Sequence, residues 1–231
     1  MFPLKDNVPT RSFPLVTALL IAANAAVWIL YQLPEGVNES ALELAYQPCE
    51  VNDTCPPGGA MGEDWPVTSF TSMFMHGSWF HLIGNMLFLW IFGNNVEDAM
   101  GKVRYLVFYL LSGYAATALQ SFVTLSMGSG AETAIPNLGA SGAVSGVLGA
   151  YLFLLPTASV LTLVFFFFIE VPAFLFLGFW FLFQLWEGSF SLVQPQAGGG
   201  VAFFAHIGGF VFGAATVYLF TGGRRPLRPA Y

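Results

Sequence analysis

A serine flanked by small residues stands out in this apolar chain, in the run Gly139-Ala140-Ser141-Gly142. Its hydroxyl is unshielded, and neighbouring backbone N–H groups can face a developing negative charge. A serine becomes an effective nucleophile when a base takes its proton, and histidine is the usual base near neutral pH. The chain has only three histidines, His76, His81 and His206. These residue types indicate nucleophilic chemistry, with close helix packing as the alternative explanation of the small residues.

The glycine pattern singles out His206 as the partner of Ser141. Glycines four residues apart occur beside both residues: Gly142 and Gly146, and Gly209 and Gly213. Such repeats let apolar helices approach closely. Packing the two repeats against each other would place Ser141 and His206 side by side, as a nucleophile and its general base.

A second polar pair, His81 and Asn85, is spaced to share one helix face. Polar side chains at membrane depth are costly and face the protein interior or a wet cavity. The spacing alone fits an interhelical hydrogen bond as well as it fits two donors to a developing negative charge. His76, nearby, is expected to brace the loop that precedes this segment.

The composition indicates that lipid surrounds most of the chain. Of 231 residues, 56% are hydrophobic and 9% are charged, against about 25% charged in soluble domains. Six apolar stretches approach or reach the length that spans a bilayer: Phe13–Leu33, Trp79–Val96, Val103–Met127, Gly139–Leu155, Phe165–Trp186 and Val201–Thr221. The prediction is an all-α polytopic membrane protein with six transmembrane helices.

The basic residues predict the orientation. All seven lie in the two tails or between the second and third stretches: Lys5, Arg11, Lys102, Arg104, Arg224, Arg225 and Arg228. Six spans put these regions on one side, which the positive-inside rule assigns to the cytoplasm. We therefore expect a multi-pass plasma (inner) membrane protein with both termini cytoplasmic. Its predicted parts are a tail over 1–12, a membrane domain over 13–222 and a basic tail over 223–231.

Residues 34–78 are predicted to form a long outer loop, which is acidic and contains no Lys or Arg. It holds the only two cysteines, Cys49 and Cys55. The outer side of the membrane permits a disulfide between them, with two free thiols as the alternative. No Cys–His spacing suggests zinc, and no metal site is predicted.

Three segments together resemble the rhomboid family of intramembrane serine proteases. They are Thr71–His76 with His81 and Asn85, then Gly139–Gly142, then Ala205–Gly209 continuing to Gly213. They follow the family's order on the second, fourth and sixth stretches, and the resemblance covers about residues 13–222. It implies a six-helix rhomboid-like bundle with a water-filled cavity that opens to the outside.

The resemblance also implies roles for individual residues. Ser141 would be the nucleophile and His206 the general base, without an acidic third residue. His81, Asn85 and the Ser141 backbone N–H would stabilise the oxyanion. The remaining motif residues would have supporting roles: His76, Gly139, Gly142 and Gly209.

The chain departs from many family members one helical turn after the nucleophile. Many have an aromatic residue there that stacks on the base, whereas this chain has Ser145. We expect the Ser145 hydroxyl to help orient His206 instead.

The implied function is hydrolysis of transmembrane protein substrates near the outer membrane face. It needs no cofactor and no nucleic acid, its partners are the substrates and the bilayer, and no oligomeric state is predicted. The alternative is a catalytically inactive rhomboid-like protein that binds transmembrane clients. A transporter or channel is disfavoured by the few charges within the spans and the lack of an evident inverted repeat.

Overall fold

Long apolar helices make up most of the structure, a computed structural model that describes residues 2–55, 64–128, 131–193 and 201–223. The described helices are α1 (Leu15–Val27), α2 (Leu33–Glu35), α3 (Val37–Leu44), α4 (Trp65–Thr71), α5 (Trp79–Met100), α6 (Lys102–Met127), α7 (Ser141–Leu154), α8 (Ala173–Val193) and α9 (Phe203–Thr221). A π-helical turn over Trp28–Gln32 joins α1 to α2. Short 3₁₀ turns cover Pro48–Asn52, Ser72–Phe74 and Glu132–Ala134. Three strands complete the described elements: β1 (Phe2–Asp6), β2 (Ser159–Val164) and β3 (Phe167–Pro172).

Within the described residues, four helical segments are long and apolar enough to cross a membrane: Leu15–Glu35, Lys102–Met127, Ala173–Leu192 and Phe203–Thr221. They indicate a multi-pass membrane protein. The helix α7 is apolar but has 14 residues, which rise about 21 Å. The helix α5 has 22 residues and carries several polar ones. The count of six spans, the orientation and the domain limits stay predictions.

The short helix α7 lies at the centre of the fold. Its residues from Gly142 to Tyr151 are all buried, and α5, α6 and α9 pack around it. Seven of its fourteen residues are Gly, Ala or Ser, so neighbouring backbones can approach closely. At its far end, the Tyr151 ring packs edge-on against Phe92 of α5, with ring centroids 5.0 Å apart. This packing fixes the position of α7, the helix that begins at Ser141.

A three-stranded antiparallel sheet follows α7 and corrects the all-α prediction. Its strand order is β1-β2-β3, and a hairpin turn at Phe165 and Phe166 joins β2 to β3. The stretch Phe165–Trp186 is therefore not one helix, because α8 begins only at Ala173. β-branched and aromatic residues dominate this stretch and suit strands. Hydrophobicity alone does not distinguish such a hairpin from the start of a membrane helix.

The N-terminal residues are part of the sheet, which the prediction of a simple tail over 1–12 missed. The strand β1 pairs with β2, from Phe2 opposite Leu163 to Asp6 opposite Val160. The Oδ2 atom of Asp6 accepts hydrogen bonds from Asn95 Nδ2 at 2.7 Å and from the Tyr151 hydroxyl at 2.5 Å. The first strand thereby ties together the ends of α5 and α7 farthest from Ser141.

Asp6 predicts a pH dependence of stability. Burial raises the pKa of its carboxyl to about 6, from an ordinary value of 3.8, although the Tyr151 hydrogen bond acts to lower it. The folded state then binds this proton more tightly than the unfolded chain does. The contribution of Asp6 should therefore decrease as the pH rises from about 4 to about 6, and then stay level.

Asp6→Asn should remove this part of the pH dependence. The measurement is the midpoint of thermal unfolding in detergent between pH 4 and pH 8, with the exposed Asp64→Asn as the matched control. Superimposable curves for Asp6→Asn and the wild type would contradict the expectation.

Candidate active site

The position of Ser141, the first residue of α7, is set by the turn before it. Gly139 has a φ of +128°, a backbone conformation that residues other than glycine rarely adopt. Its N–H donates to the Ser72 carbonyl at 2.9 Å, and the Asn137 N–H donates to the Tyr46 carbonyl at 2.7 Å. Ser141 therefore lies where helical N–H groups have no intrahelical partner, on a turn that the long loop supports.

A disulfide closes the loop segment beside that support. Cys49 and Cys55 are bonded, with Cα atoms 4.8 Å apart. Cys49 is fully buried, and the nearby Tyr46 hydroxyl forms a 2.6 Å hydrogen bond with the Ser121 hydroxyl on α6. The disulfide closes this part of the loop, and the Tyr46 hydroxyl attaches it to α6. The Tyr46 carbonyl in the same segment holds the turn before Ser141.

The helices α7 and α9 touch along their glycines. A Cβ atom on Gly209 would overlap the Gly142 carbonyl oxygen, and one on Gly213 would overlap the Gly146 carbonyl oxygen. At the Ser141 end, a Cβ atom on Gly142 would lie 4.0 Å from the Ala205 Cβ. Gly142 follows Ser141 and Ala205 precedes His206, so each of these two residues is next in sequence to a residue of this contact.

His81 presents a ring N–H towards the Ser141 turn. The Gly77 N–H donates to His81 Nδ1 at 3.4 Å, so Nδ1 is the acceptor and Nε2 carries the proton of the neutral ring. The Nε2 atom lies 2.7 Å from the position of a Cβ on Gly139, and Ser141 Oγ lies 3.4 Å from that position. Only glycine leaves room there for the imidazole beside the serine hydroxyl.

His76 holds the Asn85 side chain. The Asn85 Nδ2 and His76 Nε2 atoms are 3.0 Å apart, a contact that uses one of the two amide protons. His76 is fully buried, and its main-chain N–H and carbonyl are both bonded to the Gln32 amide, at 2.8 Å and 3.0 Å. His76 therefore connects α5 to the π-helical turn and fixes where Asn85 points.

Gln184 and Trp180, which the sequence analysis did not identify, contact the His206 ring. Gln184 Oε1 lies 2.8 Å from His206 Nδ1, and the Trp180 ring centroid lies 6.0 Å from that of His206, at an interplanar angle of 37°. Ser145, which we expected to orient His206, instead donates its hydroxyl proton to the Ser141 carbonyl at 2.6 Å. A hydroxyl in a helix commonly bonds the carbonyl four residues earlier, which explains the difference.

A small cavity of about 40 Å³ reaches Ser141 from the loop side, with room for water. It is lined by Gly139, Ser141, Gln120 and Ala205, among others. Among the described residues, no hydrogen bond joins Ser141 Oγ to the His206 ring. Catalytic hydrogen bonds are often long in enzymes without substrate and shorten when substrate binds.

Comparison with known proteins identifies the family. The Rhomboid domain family model matches residues 64–223, a range that contains Ser141, His206, His81 and Asn85. The chain belongs to the rhomboid family. Its membership agrees with the geometry, because the match includes every helix that contributes these four side chains.

The related rhomboids include proteins from bacteria and yeast. YdcA of Bacillus subtilis (strain 168) is 30% identical over 159 residues, 67% of this chain and 70% of YdcA. Rhomboid protein 1, mitochondrial, of Saccharomyces cerevisiae is 31% identical over 201 residues, 84% of this chain and 50% of that protein. Rhomboid protease GluP of Bacillus subtilis (strain 168) is 32% identical over 140 residues, 61% of this chain and 24% of GluP. This chain therefore spans half or less of the last two relatives.

The glycine contact between α7 and α9 predicts a large effect of Gly209→Ala. Its new Cβ would meet the backbone of Gly142, which cannot rotate away as a side chain can. Forcing extra atoms into a packed contact costs about 1–3 kcal/mol. We expect a lower unfolding midpoint in detergent. Gly178→Ala on α8 is the matched control, because no atom lies within 4 Å of its Cβ position, and equal midpoints for the two variants would contradict the prediction.

Proposed function

We propose that this rhomboid is an intramembrane serine endopeptidase that uses a dyad of Ser141 and His206. The observation that supports the proposal is the glycine contact of α7 with α9, which includes the residue after Ser141 and the residue before His206. The His81 ring lies beside Gly139, in the turn before Ser141. A nucleophile, a base and a hydrogen-bond donor at one point are the parts that acyl transfer requires.

In the proposed first step, Ser141 Oγ attacks a substrate peptide carbonyl while His206 Nε2 takes the hydroxyl proton. The carbonyl carbon becomes tetrahedral and its oxygen negative. His206 then gives the proton to the leaving amine, and the C–N bond breaks to leave an ester on Ser141. Water, activated by His206 in the same way, hydrolyses the ester and regenerates the serine.

The proposed oxyanion site consists of three donors. The backbone N–H of Ser141 is at a helix N-terminus, where N–H groups lack intrahelical partners and the helix dipole favours negative charge. His81 Nε2 carries the ring proton because Gly77 donates to Nδ1, and it lies next to the turn at Gly139. The second amide proton of Asn85 completes the set while His76 holds the first.

The proposed substrates are transmembrane proteins, cut near the outer face of the membrane. The protease name of the relative GluP supports the activity. The distribution of basic residues supports cytoplasmic termini and six spans. With α7 shorter than a bilayer is thick, a cytoplasmic C-terminal end would leave Ser141 below the outer surface, within reach of a membrane-embedded segment. A plasma-membrane location is part of the same proposal.

The second candidate is an inactive relative that binds transmembrane clients. Both dyad residues are present, which favours the enzyme. Fluorophosphonate labelling separates the two candidates, because only an activated serine reacts and Ser141→Ala provides the background.

Removal of either dyad residue should abolish proteolysis. We expect Ser141→Ala and His206→Ala to eliminate cleavage of a panel of single-span substrates in liposomes, with the cut mapped by mass spectrometry. Asn85→Ala should reduce kcat about 100-fold, since one oxyanion donor contributes about 3 kcal/mol. Ser189→Ala, an exposed hydroxyl on α8, is the control. Cleavage that persists in Ser141→Ala would falsify the proposal.

A further inference from the structure

Gln184 is a buried polar side chain in an apolar stretch of α8, between Phe183 and Leu185. It is 5% exposed, and burying an amide costs free energy unless its hydrogen bonds are made. Its Oε1 atom lies 2.8 Å from His206 Nδ1. The buried amide oxygen of Gln184 therefore has a hydrogen-bond partner, which is the ring of the proposed general base His206.

We infer that Gln184 is a positioning residue that holds His206 in the tautomer a general base requires, an inference that rests on the proposed function. An amide oxygen only accepts hydrogen bonds, so His206 Nδ1 carries the proton and donates it. In the neutral ring, Nε2 is then unprotonated and keeps a lone pair for the Ser141 proton. The opposite tautomer presents an N–H to the serine and cannot act as a base.

Trp180 supplies a second constraint on the same ring. It precedes Gln184 by four residues on α8, so the two side chains share one helix face. The hydrogen bond from Nδ1 sets the rotation of the imidazole, and the tryptophan beside it limits its tilt. In the Ser-His-Asp triad a buried carboxylate orients the histidine. Here a neutral amide does so without placing a charge in an apolar setting.

Gln184→Leu tests the inference, because leucine has a similar size and no hydrogen bond. We expect kcat to fall about 10- to 100-fold with little change in KM, a part of what a positioned base contributes. Ser189→Ala on the same helix should leave kcat unchanged.

Nitrogen-15 NMR of histidine-labelled protein reports the tautomer independently of activity, and only three histidines contribute signals. The wild type should show His206 protonated at Nδ1. Gln184→Leu should add a population protonated at Nε2.

Gln184→Glu separates positioning from simple packing. A carboxylate accepts the same hydrogen bond from Nδ1 and also favours the charged imidazolium. Gln184→Glu should therefore cleave faster than Gln184→Leu at alkaline pH. The acid limb of its kcat profile should lie at higher pH than that of the wild type. If the native hydrogen bond only stabilised the helix packing, the carboxylate would still move the acid limb, but Gln184→Glu and Gln184→Leu would reach the same kcat at alkaline pH.

Two results would overturn the inference, and they differ in what they say of the proposed function. In the first, Gln184→Leu keeps the wild-type kcat and the His206 tautomer. That result would contradict the positioning role of Gln184 and leave the proposed protease activity untouched. A wild-type protein that neither cleaves nor labels removes the proposed function, and the positioning role falls with it.

Discussion

The contact between α7 and α9 is the constraint on which the rest of the structure depends. Two helices approach until backbone meets backbone, at positions where a single methyl group would overlap a carbonyl oxygen. In lipid there is little hydrophobic driving force for helices to associate, so van der Waals packing of small residues has to stabilise their contact. The same contact includes the residue after Ser141 and the residue before His206. Stability and the geometry of the site therefore come from one set of glycines.

The site is assembled almost entirely from uncharged polar groups. The His81 ring accepts a hydrogen bond from a backbone N–H. The Asn85 amide is bonded to His76, and the His206 ring is bonded to Gln184. Each of these contacts fixes an orientation through a hydrogen bond between neutral partners. Charged partners would cost far more to bury at this depth. A membrane setting thus favours neutral amides and imidazoles as the groups that orient buried polar side chains.

Local patterns in the sequence predicted the central elements well. The stretch Gly139–Leu155 contains α7, and Val201–Thr221 contains α9, because glycine spacing and apolar length are properties of one segment. Long-range contacts were beyond such patterns. Gln184 could be noted as polar in an apolar run, but no spacing says that it faces a histidine 22 residues later. Likewise, a strand that pairs across more than 150 residues leaves no local signature.

The strand at the start of the chain has a consequence for biosynthesis. Its partner strand and the tyrosine that binds Asp6 lie about 150 residues downstream. A ribosome therefore delivers the first strand long before anything exists for it to pair with. Those residues must wait, unpaired, while the helices up to α7 enter the membrane, because distant contacts form only after the intervening chain is made. The sheet can therefore close only after β2 and β3 have been made.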